Sequence, residues 1–343
     1  MKISLFEVEQ WEREKFDDLS GENDISYFKE PLTAENAGEF SDTEIISTFI
    51  HSDLDKTTIE KLPDLKMIAT RSTGFDHIAL DECNEKGVVV CNVPRYGDNT
   101  VAEHVFGLLL TISHNLRDAI DRTRKGDFSQ EGLQGFDLKG KTIGVIGTGD
   151  IGEYVIRIAG GFGMKVLAYD VKPREELAQE LGFEYRDNIK DVISGAEIIT
   201  LHVPANDKTK NMISREEFDA MKDDTILINT SRGSVVNPKD MIEALASGKL
   251  KAAGLDVLPE EPVIREEAEL LHSAFKEEHD METLLADHIL LRLRNVIVTP
   301  HSAFNTCEAV IRILDTTKEN IDAFIEGSPE NVVNEINKSP VGG

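Results

Sequence analysis

Three polar residues stand where apolar, strand-like runs end in the second half of the chain. Ile226 to Asn229 leads into Thr230-Ser231-Arg232-Gly233, and Ala253 to Val257 carries Asp256 and leads into Pro259-Glu260-Glu261-Pro262. Val296 to Thr299 leads into Pro300-His301. Open α/β sheets bind their ligands at such strand ends. An arginine can pair bidentately with a carboxylate and polarise a neighbouring carbonyl. A histidine can exchange a proton near neutral pH, and a carboxylate against it raises its pKa and fixes its tautomer. Arg232, Glu261 and His301 together suit reduction of a carbonyl beside a carboxylate. Each alone also has a plainer reading: a surface ion pair, one acid among many, a satisfied loop histidine.

A second constellation precedes these. Thr142 to Ile146 reads as a buried parallel strand and runs directly into Gly147-Thr148-Gly149-Asp150-Ile151-Gly152, the G-x-G-x-x-G pattern. Gly147 permits the tight turn, Gly149 lets a pyrophosphate approach the backbone, and Gly152 lets the following helix pack on the strand. The free amides at the start of that helix would hold the phosphates. Val166 to Tyr169 supplies the next strand and ends in Asp170, eighteen residues past Gly152 (170 − 152). An acid there hydrogen-bonds the adenosine ribose hydroxyls and repels a 2′-phosphate, so the expected cofactor is NAD rather than NADP. The same glycines could join a strand to a helix without a ligand, but strand, turn, helix, second strand and terminal acid come in the required order. Asp150 puts a negative side chain beside an anionic group, which the turn tolerates if that side chain faces solvent.

These motifs need a scaffold of alternating strands and helices. The 343 residues suffice for two domains, and 40% hydrophobic with 29% charged residues is a globular composition. A net charge of −27 argues against nucleic acid and anionic membrane surfaces as partners. Cys83, Cys91 and Cys307 are scattered, odd in number and without a C-x-x-C pair, which suits a reduced, cytoplasmic setting. The start, MKISLFEVEQ, turns acidic at once, and no apolar run is long enough to span a bilayer.

The first 98 residues read as a small α/β unit with strands over Ile3 to Val8, Glu44 to Phe49, Leu65 to Thr70 and Val88 to Asn92. Helical segments fall at Lys56 to Leu62 and Leu80 to Lys86. Thr100 to Lys125 predicts one long helix, with Val105, Leu108, Leu109, Ile112 and Leu116 at helical spacing and Gly126 as its stop. Six strands then follow from Thr142, including Ile198 to His202, enough for a doubly wound parallel sheet. Ser214 to Glu217 is a capping box, Asn237-Pro238 a cap with proline at the first helical position, and Gly248 a stop. Val263 to Arg292 is acidic and helix-like. Its His272, His279, Glu277, Glu278 and His288 lack metal-ligand spacing and read as a solvated face, so no metal is expected. A last helix is expected over Glu308 to Phe324.

The motifs resemble the D-2-hydroxyacid dehydrogenase family, most closely its NAD-dependent D-lactate branch. The resemblance runs over nearly the whole chain: ATRSTGFDHI (Ala69 to Ile78), NVPRYGDNTVAEH (Asn92 to His104), VIGTGDIG (Val145 to Gly152), NTSRGSVVN (Asn229 to Asn237), GLDVLPEEP (Gly254 to Pro262) and TPHSAF (Thr299 to Phe304). It implies two Rossmann-like or flavodoxin-like domains with an inter-domain cleft. One is a discontinuous substrate domain, 1–98 plus 305–343, and the other an NAD-binding domain, 99–304. By the same resemblance Arg232, Glu261 and His301 are catalytic. His301 protonates the keto oxygen, Glu261 keeps it charged, and Arg232 holds the carboxylate and carbonyl.

The backbone of Thr73 and Gly74, with Tyr96 and Phe304, would contact a small 2-keto or 2-hydroxy acid. Asp256 would meet the nicotinamide amide, and His202, Val203 and Pro204 would line the adenine side, with Thr230 also among the cofactor contacts. The family forms homodimers through the NAD-binding domain. Ala79 and Asp150 depart from its usual pattern, and the long segment before His301 is shared with the lactate branch. Rival readings are a reductase of glyoxylate, hydroxypyruvate or a bulkier 2-keto acid, and an NAD-sensing scaffold like the related corepressors.

Overall fold

The computed structural model describes residues 1–21, 23–259 and 281–335. The chain separates into two compact units, Met1–Tyr96 with the chain from Thr306 onward, and Gly97–Asn305.

The first unit is a five-stranded parallel sheet in the order β2-β1-β3-β4-β5, the flavodoxin-like order. Its strands are β1 (Lys2–Leu5), β2 (Asp24–Tyr27), β3 (Ile45–Thr48), β4 (Met67–Thr70) and β5 (Val89–Cys91). Side chains alternate between two apolar layers. Ile46, Ile68 and Val90 face one, and Ile45, Met67, Ala69, Val89 and Cys91 face the other. The final helix, Cys307–Ile325, packs Leu314 and Ile321 into the second layer. Strand β2 has no counterpart among the expected strands. It is an edge strand with a half-exposed pattern, so no apolar run marks it.

The second unit holds seven parallel strands in the order β12-β11-β10-β9-β6-β7-β8. These are β6 (Thr142–Ile146), β7 (Lys165–Tyr169), β8 (Glu184–Tyr185), β9 (Ile198–Leu201), β10 (Thr225–Asn229), β11 (Leu250–Leu255) and β12 (Val296–Val298). Six were expected. The seventh, β8, is a two-residue edge strand too short for a periodicity to reveal. Strands β9 and β10 are buried throughout, as residues covered on both faces must be. From β6 the chain winds outward through β7 and β8, then returns to β9 on β6's other side. That reversal is where doubly wound sheets open a ligand crevice.

The helix expected over Thr100 to Lys125 is two helices, Asp98–Ser113 and Leu116–Arg124. The break falls at Asn115, whose φ of 51° is left-handed. A returning segment makes it: Phe136 N donates to the Ser113 carbonyl at 3.0 Å. The Asn115 side chain donates to the carbonyls of Leu133 and Gln134. Gly135 passes so close that a β-carbon there would lie 2.0 Å from the Ser113 oxygen. Local periodicity carries no trace of a contact made twenty residues away. The expected caps at Ser214, Asn237 and Gly248 are all present.

One buried cation organises the first unit. Arg71 is 3% exposed. Its guanidinium donates to Ser47 Oγ at 3.0 Å and to the carbonyls of Phe6 and Glu7 at 2.5 and 2.8 Å. Burial pushes its pKa down, while Glu7 and Glu12 hold it up. Replacing Arg71 by methionine keeps the stem but strands these acceptors, and should destabilise the fold by about 3 kcal/mol in urea unfolding. A loss under about 1 kcal/mol would show that the carbonyls find other donors.

Candidate active site

The glycine turn is built by close approach. Gly147 has φ 93°, and a β-carbon on it would sit 2.3 Å from the His202 carbonyl oxygen. A β-carbon on Gly152 would sit 2.1 Å from the Gly147 oxygen, so the helix Asp150–Gly161 lies directly on the turn. Gly149 differs: no atom of the described residues lies within 4 Å of its β-carbon position, which leaves its backbone open to a ligand. Asp150 and Ile151 form the first turn of this helix, where the dipole favours an acid.

Asp170 lies against the turn itself. Its Oδ2 accepts from the Thr148 amide at 2.6 Å and the Thr148 hydroxyl at 3.1 Å, and its Oδ1 accepts from Lys172 N at 2.8 Å. Tyr185 shares the Thr148 hydroxyl at 2.8 Å, and Arg174 joins the Thr148 carbonyl to Glu153. The other rim is His202, Val203 and Pro204. His202 N donates to Ile146 O at 2.8 Å, and Val203 Cγ1 lies 3.2 Å from the Gly147 β-carbon position. Pro204 is exposed and accepts the Thr209 hydroxyl through its carbonyl. At the end of β10, the buried Thr230 Oγ1 has no hydrogen-bond partner among the described residues. An open glycine backbone, a helix N-terminus, a carboxylate and an unsatisfied hydroxyl fit a dinucleotide.

Three loops at the ends of β10, β11 and β12 are tied in series. Asp256 N donates to the Asn229 carbonyl at 2.9 Å, and His301 N donates to the Asp256 carbonyl at 2.9 Å. Arg232 is half-buried on the first loop, which Asn229 shapes. The Asn229 side chain donates to Arg232 O and accepts from Ser231 N and Oγ. Gly233 lies against the Leu258–Pro259 peptide, 2.2 Å from its β-carbon position, so no larger residue fits beside the arginine.

His301 has φ 50°, in the left-handed region that a histidine enters at some cost. The carboxylate of Asp256, 1% exposed, holds that backbone from both sides. Oδ1 accepts from Thr299 Oγ1 at 2.5 Å and Ser302 N at 2.9 Å, and Oδ2 accepts from Ala303 N at 2.9 Å. His104 Nε2 lies 3.0 Å from Thr299 Oγ1 and 3.5 Å from Asp256 Oδ1. The structure thus joins the loops of Arg232, Asp256 and His301. Glu261 lies outside the described residues, as do His272, Glu277, Glu278 and His279. Among the described residues no three His, Cys, Asp or Glu side chains group as metal ligands. Phe304 is half-buried, its Cβ 3.8 Å from the Gly97 β-carbon position.

In the first unit, the loop after β4 is held by side chains. Thr73 Oγ1 donates to Val93 O, Asn92 Nδ2 donates to Thr73 O, and Ser72 Oγ donates to Gly74 O. The amides of Thr73 and Gly74 have no acceptor among the described residues, a geometry open to an anion. Tyr96 is half-buried, and its carbonyl accepts from Arg312 Nε at 2.7 Å. Sequence reasoning passed over His104 and Thr299 as functional groups. The available signal was His104's place one turn before Leu108, a polar residue on the apolar face of its helix.

Burial pushes His202 down to about 3, so its imidazole is neutral in the folded protein at neutral pH. The unfolded chain takes up that proton near pH 6.5, so this contribution is complete above pH 6.5 and is lost as pH falls toward 3. Between pH 7.5 and 5.0 the wild type should lose about 2 kcal/mol more stability than His202→Gln, compared by urea unfolding. Parallel losses in the two proteins would contradict a neutral, desolvated imidazole.

Residues 106–303 match the family profile of the D-isomer specific 2-hydroxyacid dehydrogenase, NAD binding domain. The D-lactate dehydrogenase of Escherichia coli is 34% identical over 343 residues, 98% of this chain and 100% of that protein. The glyoxylate reductase of Thermococcus litoralis is 34% identical over 301 residues, 85% and 84% of the two chains. The crystal structure of the Aquifex aeolicus D-lactate dehydrogenase, complexed with NAD and lactic acid, superposes with a TM-score of 0.83 at 35% identity, covering 95% of this chain and 96% of that one. No helix among the described residues is long and apolar enough to cross a membrane. Open glycine turn, acid-tipped second strand and three linked loops thus agree with the similarity of the whole chain, which belongs to the D-2-hydroxyacid dehydrogenases, NAD-dependent oxidoreductases.

Proposed function

We propose that the protein is a D-lactate dehydrogenase that reduces pyruvate to D-lactate. The observation that carries this reading is similarity over essentially the full length to D-lactate dehydrogenase. Bound NADH supplies the hydride. The remaining chemistry belongs to the chain. His301 delivers a proton to the keto oxygen, and Glu261 favours its charged form. Arg232 pairs with the substrate carboxylate and polarises the carbonyl, and the open amides of Thr73 and Gly74 receive the same carboxylate.

Tyr96 and Phe304 bound the methyl side. Asp256 Oδ2 accepts the Ala303 amide and, among the described residues, keeps a lone pair for the nicotinamide amide. Asp170 takes the adenosine ribose, Gly147 to Gly152 the pyrophosphate, and His202, Val203 and Pro204 the adenine side, with Thr230 Oγ1 also turned to the cofactor. The first unit is the substrate domain and the second the NAD-binding domain. The exposed Leu116, Ile120 and Phe128 of the second unit support a homodimer formed through it. A glyoxylate-preferring reductase is the second reading, favoured by the comparable identity to that enzyme.

NADH oxidation with a panel of 2-keto acids tests the substrate: pyruvate should lead, and a severalfold faster rate with glyoxylate would replace the first reading by the second. His301→Ala should lower kcat by about 10³-fold while NADH affinity, followed by fluorescence, stays within about twofold. A modest loss would remove His301 from proton transfer. Asp170→Ala should raise the KM for NADH about tenfold and narrow the preference over NADPH. Equal use of both cofactors by the unaltered protein would contradict the role given to Asp170.

A further inference from the structure

The hydrogen-bond chain behind His301 begins on a helix. Thr299 has one hydroxyl proton, and it goes to Asp256 Oδ1 at 2.5 Å. The Thr299 oxygen is therefore an acceptor toward His104, whose Nε2, 3.0 Å away, must carry a hydrogen. The same Nε2–H faces Asp256 Oδ1 at 3.5 Å. His104 is rooted in Asp98–Ser113, whose Val105, Leu108 and Leu109 are buried in the core of the second unit. On the other side, Asp256 accepts the amides of Ser302 and Ala303, the two residues after His301. These bonds hold His301 at a φ of 50°, a conformation that persists only where its surroundings impose it.

We propose, taking His301 as the proton donor assigned above, that His104 is a positioning residue of the reaction. Its imidazole fixes the Thr299 hydroxyl, the hydroxyl fixes the Asp256 carboxylate, and the carboxylate fixes the backbone that aims His301. A leucine at 104 fills the space but donates nothing. Thr299 is then free to turn from Asp256, and the loop loses one of the constraints on its strained residue. A shift of about 1 Å in a proton donor is enough to cost about a hundredfold in rate. Because Thr299 holds Oδ1 of Asp256 while Oδ2 is the atom assigned to the nicotinamide, the loss falls mainly on kcat and only slightly on cofactor affinity.

The test compares His104→Leu, His104→Gln, Thr299→Val and the Leu/Val double variant in the full chain. Three readouts are used: kcat and KM with the best 2-keto acid, NADH affinity by fluorescence, and hydrogen exchange of the peptide covering 299–304. His104→Leu and Thr299→Val should each lower kcat about ten- to hundredfold, leave NADH affinity within about twofold, and speed exchange in 299–304. The double variant should be no slower than the slower single, because one chain of bonds is cut twice. Glutamine, whose Nε2 also donates, should recover most of the rate.

Wild-type kcat or unaltered exchange in His104→Leu would overturn the proposal, as would multiplicative losses in the double variant. If the leucine variant does not fold, a near-normal His104→Gln beside an impaired Thr299→Val supports the chain, and two normal variants overturn it. Exchange in 299–304 is read without substrate. A wild type that turns over none of the keto acids would refute the functional reading, while the exchange data still decide the role of His104.

Discussion

The ends of three parallel strands converge on one buried carboxylate. Asp256 accepts hydrogens from Thr299, Ser302 and Ala303, while its own amide reaches back to Asn229. A carboxylate removed from water is costly unless its lone pairs are filled, and here the donors that fill them belong to the loop needing a fixed shape. Desolvation of Asp256 and precision at His301 are thus two sides of one interaction. The loop of Arg232 enters the same arrangement through Asn229, whose carbonyl meets Asp256 and whose side chain closes the turn around Ser231.

The nucleotide end obeys the same logic with backbone in place of side chain. Gly147 and Gly152 are forced by contact, since a β-carbon at either would overlap a carbonyl oxygen. Gly149 is not forced by any atom of the described residues, and that openness fits the face expected for pyrophosphate. Asp170 closes the turn through Thr148, so the group expected to read the ribose also stiffens the phosphate loop. His202 completes the rim as a neutral imidazole, adding polarity without a charge that burial would penalise.

The two units divide their demands on packing. In the first, a buried arginine rather than an acid ties strand ends, joining Ser47 to the carbonyls after β1. Glu7 in turn accepts the amides of Phe49, His51 and Ser52, fixing the loop after β3. Such polar anchors at the carboxyl ends of parallel strands leave amides such as those of Thr73 and Gly74 available in defined positions.

What the sequence by itself determined is local or periodic. The glycine turn, the acid ending the second strand, the caps at Ser214, Asn237 and Gly248, and most buried strands could be read because each depends on neighbours a few residues away. Recognition of the motifs added the family and the expected roles of Arg232, Glu261 and His301. Only the tertiary structure decided the break at Asn115, the edge strands β2 and β8, and the union of Asn229, Asp256, Thr299 and His104. Those features depend on partners far along the chain: Asn115 donates to carbonyls 18 and 19 positions on, and His104 pairs with a hydroxyl 195 positions away. A hydrogen bond across that distance leaves no period in the chain.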